Sequence, residues 1–194
     1  ENDTGWKRVK LLEKFFNNHP YLPHIGHLTA LIAGLLLPLS LAPFDWWPLG
    51  ILSVLIFLES ISGGSPGRIL IRFYLYSLGT FALGVSWIYV SINVYGGAPP
   101  ILAGFLVILF ILAWSLNGLL LGFVYIKWAR SFPRGHLFAF PVLWVLSEWF
   151  RGWFLTGFPW IYIGYGHLSS PLAGFAPVAG VLGISFVVVL SAVL

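Results

Sequence analysis

Long apolar runs alternate with short polar breaks along nearly the whole chain. Six runs stand out, at about 26–43, 47–62, 68–92, 100–127, 135–154 and 171–194. A helix needs roughly 20 apolar residues to cross a bilayer, and most of these runs approach or exceed that length. The second is short and must borrow from its flanks. The fourth is long and should tilt. The pattern predicts an all-α polytopic transmembrane bundle of about six spans. Residues 1–25 form a basic lead-in, and 26–194 form the membrane domain. A cleavable signal peptide is rejected for the first run, because Pro43 follows Ser40-Leu41-Ala42 directly and the polar lead-in is too long.

Charge fixes an orientation. Lys7, Arg8, Lys10 and Lys14 precede the first run, Arg68 and Arg72 open the third, and Lys127, Arg130 and Arg134 lie between the fourth and fifth. With six alternating spans all nine fall on one side, leaving only Arg151. The connections at 44–47, 93–99 and 155–170 hold no Lys or Arg. The excess of Lys and Arg in cytoplasmic loops then predicts a cytoplasmic N-terminus, with those three connections outside.

Composition agrees with lipid as the solvent. The mean hydropathy is +0.92 and only 8% of the 194 residues are charged, against about 25% in soluble domains. There is no cysteine, hence no disulfide, thiolate metal site or thiol nucleophile within these residues. His24 and His27 are the only close histidine pair, with no carboxylate nearby, so no metal site is expected. No cofactor or nucleic-acid partner is expected either. No phosphate-binding glycine loop and no HExxH occurs. The chain begins without methionine, which reads as processing or as a piece of a longer product, and it ends within an apolar run, which reads as a C-terminal truncation.

The outer connections differ in character from the inner ones. They read LAPFDWWP (41–48), NVYGGAPP (93–100) and LTGFPWIYIGYGH (155–167). Aromatics at headgroup level and turn residues explain much of this. The third connection, however, is long, nearly uncharged and aromatic, and is expected to dip into the interface or pack on the helices. Together the three would form an outward-facing cavity open to lipid. Just before the third lies SEWFRGW (147–153), with Glu148 and Arg151 three residues apart, hence on one helix face. Ionisable groups in a span usually face the bundle interior and pair. Two readings stay open: an ion pair that pins the fifth helix, or an arginine that meets a lipid phosphate or a substrate's polar head. Asn117 is expected to hydrogen-bond a neighbouring helix, and Glu59 and Arg72 to act as inner-face anchors.

WIYVSI (87–92) followed by YGG, SEWFRGW (147–153), LTGFPW (155–160), GY (164–165) and PLAGFAPVAG (171–180) resemble, in order and spacing, the N-terminal membrane domain of bacterial apolipoprotein N-acyltransferases. APFDWWP (42–48) is similar to that family's first outer turn. The resemblance implies an enzyme of the bacterial inner membrane with its working face in the periplasm. It implies transfer of an acyl chain from a phospholipid, typically phosphatidylethanolamine, to the α-amine of an S-diacylglyceryl-cysteine apolipoprotein. It also implies a Glu–Lys–Cys triad in a nitrilase-like domain, inserted between the last two of eight helices. None of that triad can be carried onto this chain, which on this reading is the membrane half and inactive alone. The outer-face candidates for binding lipid or substrate are Trp87, Tyr89, Ser91, Tyr95, Glu148, Arg151, Gly152, Trp153, Gly157, Phe158, Pro159, Trp160, Gly164 and Tyr165. The alternatives are a lipid- or partner-binding scaffold and, less favoured because polar residues gather at one end, a small transporter.

Overall fold

The structure, a computed structural model, describes residues 22–62, 64–130 and 135–194. The basic lead-in with Lys7, Arg8, Lys10, Lys14 and His19, as well as Arg134 and the side chain of His136, lies outside the described residues. Among the described residues there are helices and turns but no strand. Six helices form the frame: α1 (Leu22–Leu36), α2 (Pro48–Ile61), α3 (Pro66–Gly84), α4 (Pro100–Val124), α5 (Gly135–Arg151) and α6 (Ala176–Val193). Proline opens α2, α3 and α4, where its fixed φ suits the first turn and its missing N–H is not needed.

Helix α4 shows which solvent the fold expects. Its buried positions are small or weakly polar: Ala103, Val107, Ser115, Gly118 and Gly122. Its large residues, among them Ile101, Phe105, Ile108, Leu112, Leu116 and Phe123, are exposed. Water would reverse that arrangement; lipid permits it, because close packing and interhelical hydrogen bonds, not burial of leucines, hold such a bundle together. The chain is therefore an all-α membrane domain. Pro100–Ala129 and Pro171–Val193 are each long and apolar enough to cross, and His24–Ser40 and Pro48–Ile61 are shorter apolar helices. At about 1.5 Å per residue the 30 residues of Pro100–Ala129 are longer than the roughly 30 Å hydrocarbon core.

The third run, expected as one span over 68–92, is broken. Helix α3 ends at Gly84, and Ile88–Val90 with the π-helical turn Ser91–Tyr95 continues at an angle of 53°. At the break the Ser86 hydroxyl donates to the Leu83 carbonyl at 3.0 Å, one of the last acceptors of the helix. The sixth run also departs from a simple span. It starts as a 3₁₀ turn, Pro171–Phe175, and is kinked within α6 at Gly180, where φ is +63°.

Helix α3 packs against both α1 and α4, and glycines set the separations. A methyl group on Gly79 would meet the Leu31 carbonyl of α1, and one on Gly34 the backbone of Tyr76. On the other side Gly118 and Gly122 lie against Phe73. Hydrogen bonds lock these approaches: Thr80 Oγ1 donates to Gly34 O at 3.2 Å, and Ser53 Oγ of α2 to Ala33 O at 2.6 Å. In the middle of the bundle the rings of Phe57, Phe73, Tyr76, Tyr125, Phe140 and Trp144 interlock.

The arginines at the opposite end from the aromatic connections cluster together. Arg130 Nη2 donates to Gly64 O at 3.0 Å, and Arg72 donates to Ser60 O. Arg72, expected as an inner-face anchor, is buried, with its guanidinium taken up by the Ser60 carbonyl in the last turn of α2. Among the described residues Glu59 forms no ion pair with Arg68.

Candidate functional site

The connection from Gly152 to Phe175 begins where α5 ends and does not leave the protein. Ile161, Tyr162, Ile163, Gly164, Gly166 and His167 are all buried, and the 3₁₀ turn Ile163–His167 packs on α6. Non-helical backbone at such depth must find its partners inside the protein, because lipid offers none. Glu148 and Arg151 supply them. Glu148 Oε1 accepts the Ile163 N–H at 2.8 Å and the Trp144 indole N–H at 3.2 Å. Arg151 Nη2 donates to Ile161 O at 3.1 Å, and its guanidinium lies between the rings of Phe81 and Tyr162, 5.5 and 5.2 Å from their centroids. Gly164 N–H goes to Ser185 Oγ of α6 at 3.1 Å, and Phe158 N–H to Arg151 O at 2.8 Å.

The carboxylate and guanidinium share a helix face, as their spacing requires. They are 4% and 6% exposed, so neither reaches the outer surface. Among the described residues no direct ion pair joins them; each holds a different point of the same buried loop. Both line a small, partly open pocket of about 40 Å³ with Tyr76, Thr80, Asn117 and Ser147. Asn117 Nδ2 donates to Ser147 Oγ at 2.8 Å, bridging α4 and α5, the helix-to-helix bond its mid-span position suggested.

Glycines give the loop room. A side chain on Gly152 would collide with the Tyr162 hydroxyl, and one on Gly164 with the Val181 carbonyl. Gly157 has φ +91° and sits against Gly152 O. Just before it, Leu155 and Thr156 also hold positive φ, at 50° and 73°, a conformation that is rare for a β-branched residue. This strained tip is apolar and open: Trp153, Phe154 and Leu155 are exposed, with Trp153 against Trp149 and Phe150. Phe158 turns inward onto Phe110 and Trp114, at 5.0 and 5.7 Å. Pro159 is half-buried between Phe158 and Trp160.

On the outer side of the same loop lies a larger pocket of about 510 Å³. Asp45, Gly84, Trp87, Trp160, Tyr165 and Ser169 contribute to its lining. The first and third outer connections therefore meet there, with Trp87 from the break after α3. Tyr89, Ser91 and Tyr95 do not join them; they are exposed on the bent continuation of α3. Sequence reasoning passed over Asp45, Trp144, Tyr162 and Ser185. Asp45 alone carried a signal, as the single acidic residue of the outer connections. The others become visible only when the loop folds back.

His167 was likewise set aside. Its ring is fully buried, 5.8 Å from that of Trp47, with Nδ1 3.3 Å from Ser170 Oγ. Burial pushes its pKa down from 6.5 to about 4, so the imidazole is neutral in the folded protein. An unfolded chain takes up a proton near pH 6.5 that the folded one refuses. Stability contributed by this residue is thus complete above about 6.5 and falls as the pH drops toward 4, by at most about 1.4 kcal/mol per pH unit. Thermal midpoints of the wild type and His167→Leu in nanodiscs should therefore converge as the pH falls through that window. A constant difference would place the titration elsewhere.

Residues 33–194 match the model of the Apolipoprotein N-acyltransferase N-terminal domain. The Apolipoprotein N-acyltransferase of Pseudomonas syringae pv. tomato is 50% identical over 171 residues, covering 87% of this chain and 34% of that protein. The one from Azotobacter vinelandii is 46% identical over 171 residues, 87% of this chain and 33% of its own length. The one from Vibrio cholerae is 41% identical over 158 residues, 79% and 31% respectively. The chain spans about a third of the length of these curated relatives.

Proposed function

The chain belongs to the apolipoprotein N-acyltransferase family, whose N-terminal domain it matches over residues 33–194, and from that premise we propose that it forms the lipid-facing platform of such an enzyme. The enzyme moves a fatty acyl chain from a phospholipid, phosphatidylethanolamine by preference, to the N-terminal amine of a diacylglyceryl-cysteine apolipoprotein. It does so at the periplasmic face of the bacterial inner membrane, with the N-terminus of this chain in the cytoplasm and its six helices as spans. Since the 194 residues hold no cysteine, no acyl-carrying thiol is among them. Their part is binding and positioning, and they do not turn over alone.

The observation that carries this reading is the third outer connection, drawn into the bundle by Glu148, Arg151 and Ser185. A connection serving only to join two helices has no use for buried charges. One that must present aromatic groups at a fixed height in the interface does, because a floor for two acylated substrates has to hold its shape while they exchange. Glu148 and Arg151 are then positioning residues: they fix the loop, and the loop's outer side with Trp87, Trp160 and Tyr165 meets lipid. Gly152, Gly157 and Gly164 permit the fold of the loop, and Trp153 with Leu155 seats its tip in the bilayer.

A chimera tests this. The N-terminal third of the Pseudomonas syringae relative is replaced by this chain, and acylation of a diacylglyceryl lipopeptide from phosphatidylethanolamine is followed by mass. Turnover comparable with the parent is expected. A chimera that inserts at normal level yet leaves the lipopeptide unacylated would overturn the proposal.

A further inference from the structure

Beneath the buried loop, where α3, α4 and α5 meet, Tyr76, Asn117, Ser147, Glu148 and Arg151 all line the pocket of about 40 Å³. The hydrogen bonds around it leave a definite remainder. Glu148 uses Oε1 for the Ile163 N–H and the Trp144 indole, and Arg151 uses Nη2 for the Ile161 carbonyl. Among the described residues Glu148 Oε2, Arg151 Nε and Asn117 Oδ1 are buried with no partner at hydrogen-bond distance. The hydroxyls follow by elimination. Ser53 gives its proton to the Ala33 carbonyl, so the phenol donates in the 2.8 Å contact between Tyr76 and Ser53, and the Tyr76 oxygen keeps lone pairs to accept with. Asn117 Nδ2 donates to Ser147 Oγ, whose own proton is still to be given.

The remainder is mixed. Arg151 Nε and the Ser147 hydroxyl donate, while Glu148 Oε2, Asn117 Oδ1 and the Tyr76 oxygen accept. Such a set selects its occupant. A cation would be repelled by the guanidinium and an anion by the carboxylate, whereas a molecule that both donates and accepts satisfies both kinds of atom. Size sets the second limit. A water needs about 10–15 Å³ and about two to four polar partners, so about 40 Å³ takes roughly two or three waters and no lipid headgroup. Lipid offers these atoms nothing, and a buried polar atom without a partner is costly. We propose that the pocket is a hydration site inside the bundle, in which about two water molecules bridge Glu148 Oε2 and Arg151 Nε on α5 to Asn117 Oδ1 on α4. The carboxylate and guanidinium, held apart where they grip Ile163 and Ile161, are joined through water on their other sides. The pair that anchors the loop is thereby tied to α4 as well, beside the Asn117–Ser147 bond that already links α4 to α5. The site holds whatever the outer face binds.

The test uses the whole chain, crystallised from a lipidic mesophase at a resolution that shows ordered water. Water density should lie within about 3.2 Å of Asn117 Oδ1 and of Glu148 Oε2 or Arg151 Nε. Direct closure of Arg151 Nε or Ser185 Oγ onto Glu148 Oε2, with no water in the pocket, would overturn the proposal. Density there for an ion or a lipid headgroup would do the same. X-ray hydroxyl-radical footprinting in nanodiscs gives a second readout, because radicals formed from bound water oxidise the rings beside it. Tyr76 and Trp144 line the pocket and are only 5% and 6% exposed. They should be oxidised well above Tyr125, which is also buried but is not part of the lining. Asn117→Leu sets an apolar side chain where the water sits and should bring that labelling down to the level of Tyr125. Ser147→Val makes the same test from α5 should Asn117→Leu not insert. Wild-type labelling of Tyr76 and Trp144 no higher than that of Tyr125, or labelling that the inserted variant leaves unchanged, would mean that no water is held there. Neither measurement needs turnover, so an inactive chimera would leave the hydration site standing, and a dry pocket would leave the enzyme reading standing.

Discussion

Replacing Glu148 by alanine is expected to lower stability by roughly 3–5 kcal/mol, the scale seen when one partner of a buried charged network is removed. Two losses act together. The Ile163 N–H and the Trp144 indole lose their acceptor, and the buried Arg151 guanidinium loses the carboxylate that shares its helix face. Unfolding midpoints in nanodiscs read both losses together, and proteolysis between Gly152 and His167 reads the first alone, since a loop without its anchor should be cut. The chimera carrying Glu148→Ala should lose acylation to the extent that the loop is released. Adding Arg151→Met to Glu148→Ala should recover part of the stability, because it removes the stranded charge. A double variant as destabilised as the sum of the two single ones would mean that Glu148 and Arg151 act independently.

Phe73→Ala is expected to cost a similar amount, about 3–5 kcal/mol, by a different route and with a different consequence. Phe73 is 1% exposed. Its ring meets Phe57 at 4.9 Å edge-on and Tyr125 at 5.3 Å, and its backbone and ring receive Gly118 and Gly122 of α4. Truncation removes these contacts where four elements converge, and glycines have no side chain with which to fill the gap. The measurement is again the unfolding midpoint. Here the outer loop should stay resistant to protease up to the transition, because its anchors on α5 and α6 are intact. Early cleavage of that loop in Phe73→Ala would show that the core and the outer platform are not separable.

The two variants also separate what a one-dimensional reading reaches from what it does not. The apolar runs, the Lys and Arg at one end and the Gly, Pro and Trp at the other specify a membrane bundle with unlike faces. They do so because the solvent of each segment is written in its own composition and period. Even the shared face of Glu148 and Arg151 follows from their spacing. Their partners do not. Ile161 and Ile163 contribute a carbonyl and an N–H, which every residue possesses, so no side-chain pattern announces them. Ser185 is one of many serines, and Asp45 lies more than forty residues from the Trp87 and more than a hundred from the Trp160 that share its pocket.

The break after Gly84 shows the same limit at shorter range. Its apolar run is unbroken in sequence, yet the chain turns by 53° where the Ser86 hydroxyl takes the Leu83 carbonyl and Gly84 lies close to Ile161 and Pro38. By itself, then, the sequence determined the all-α membrane class of this protein, since that depends on local transfer from water to lipid. Tertiary structure decided that the charged pair is an internal anchor and that the lone outer carboxylate sits in an aromatic pocket. Backbone groups and distant side chains acquire those roles only when the loop folds back and must satisfy its hydrogen bonds without water.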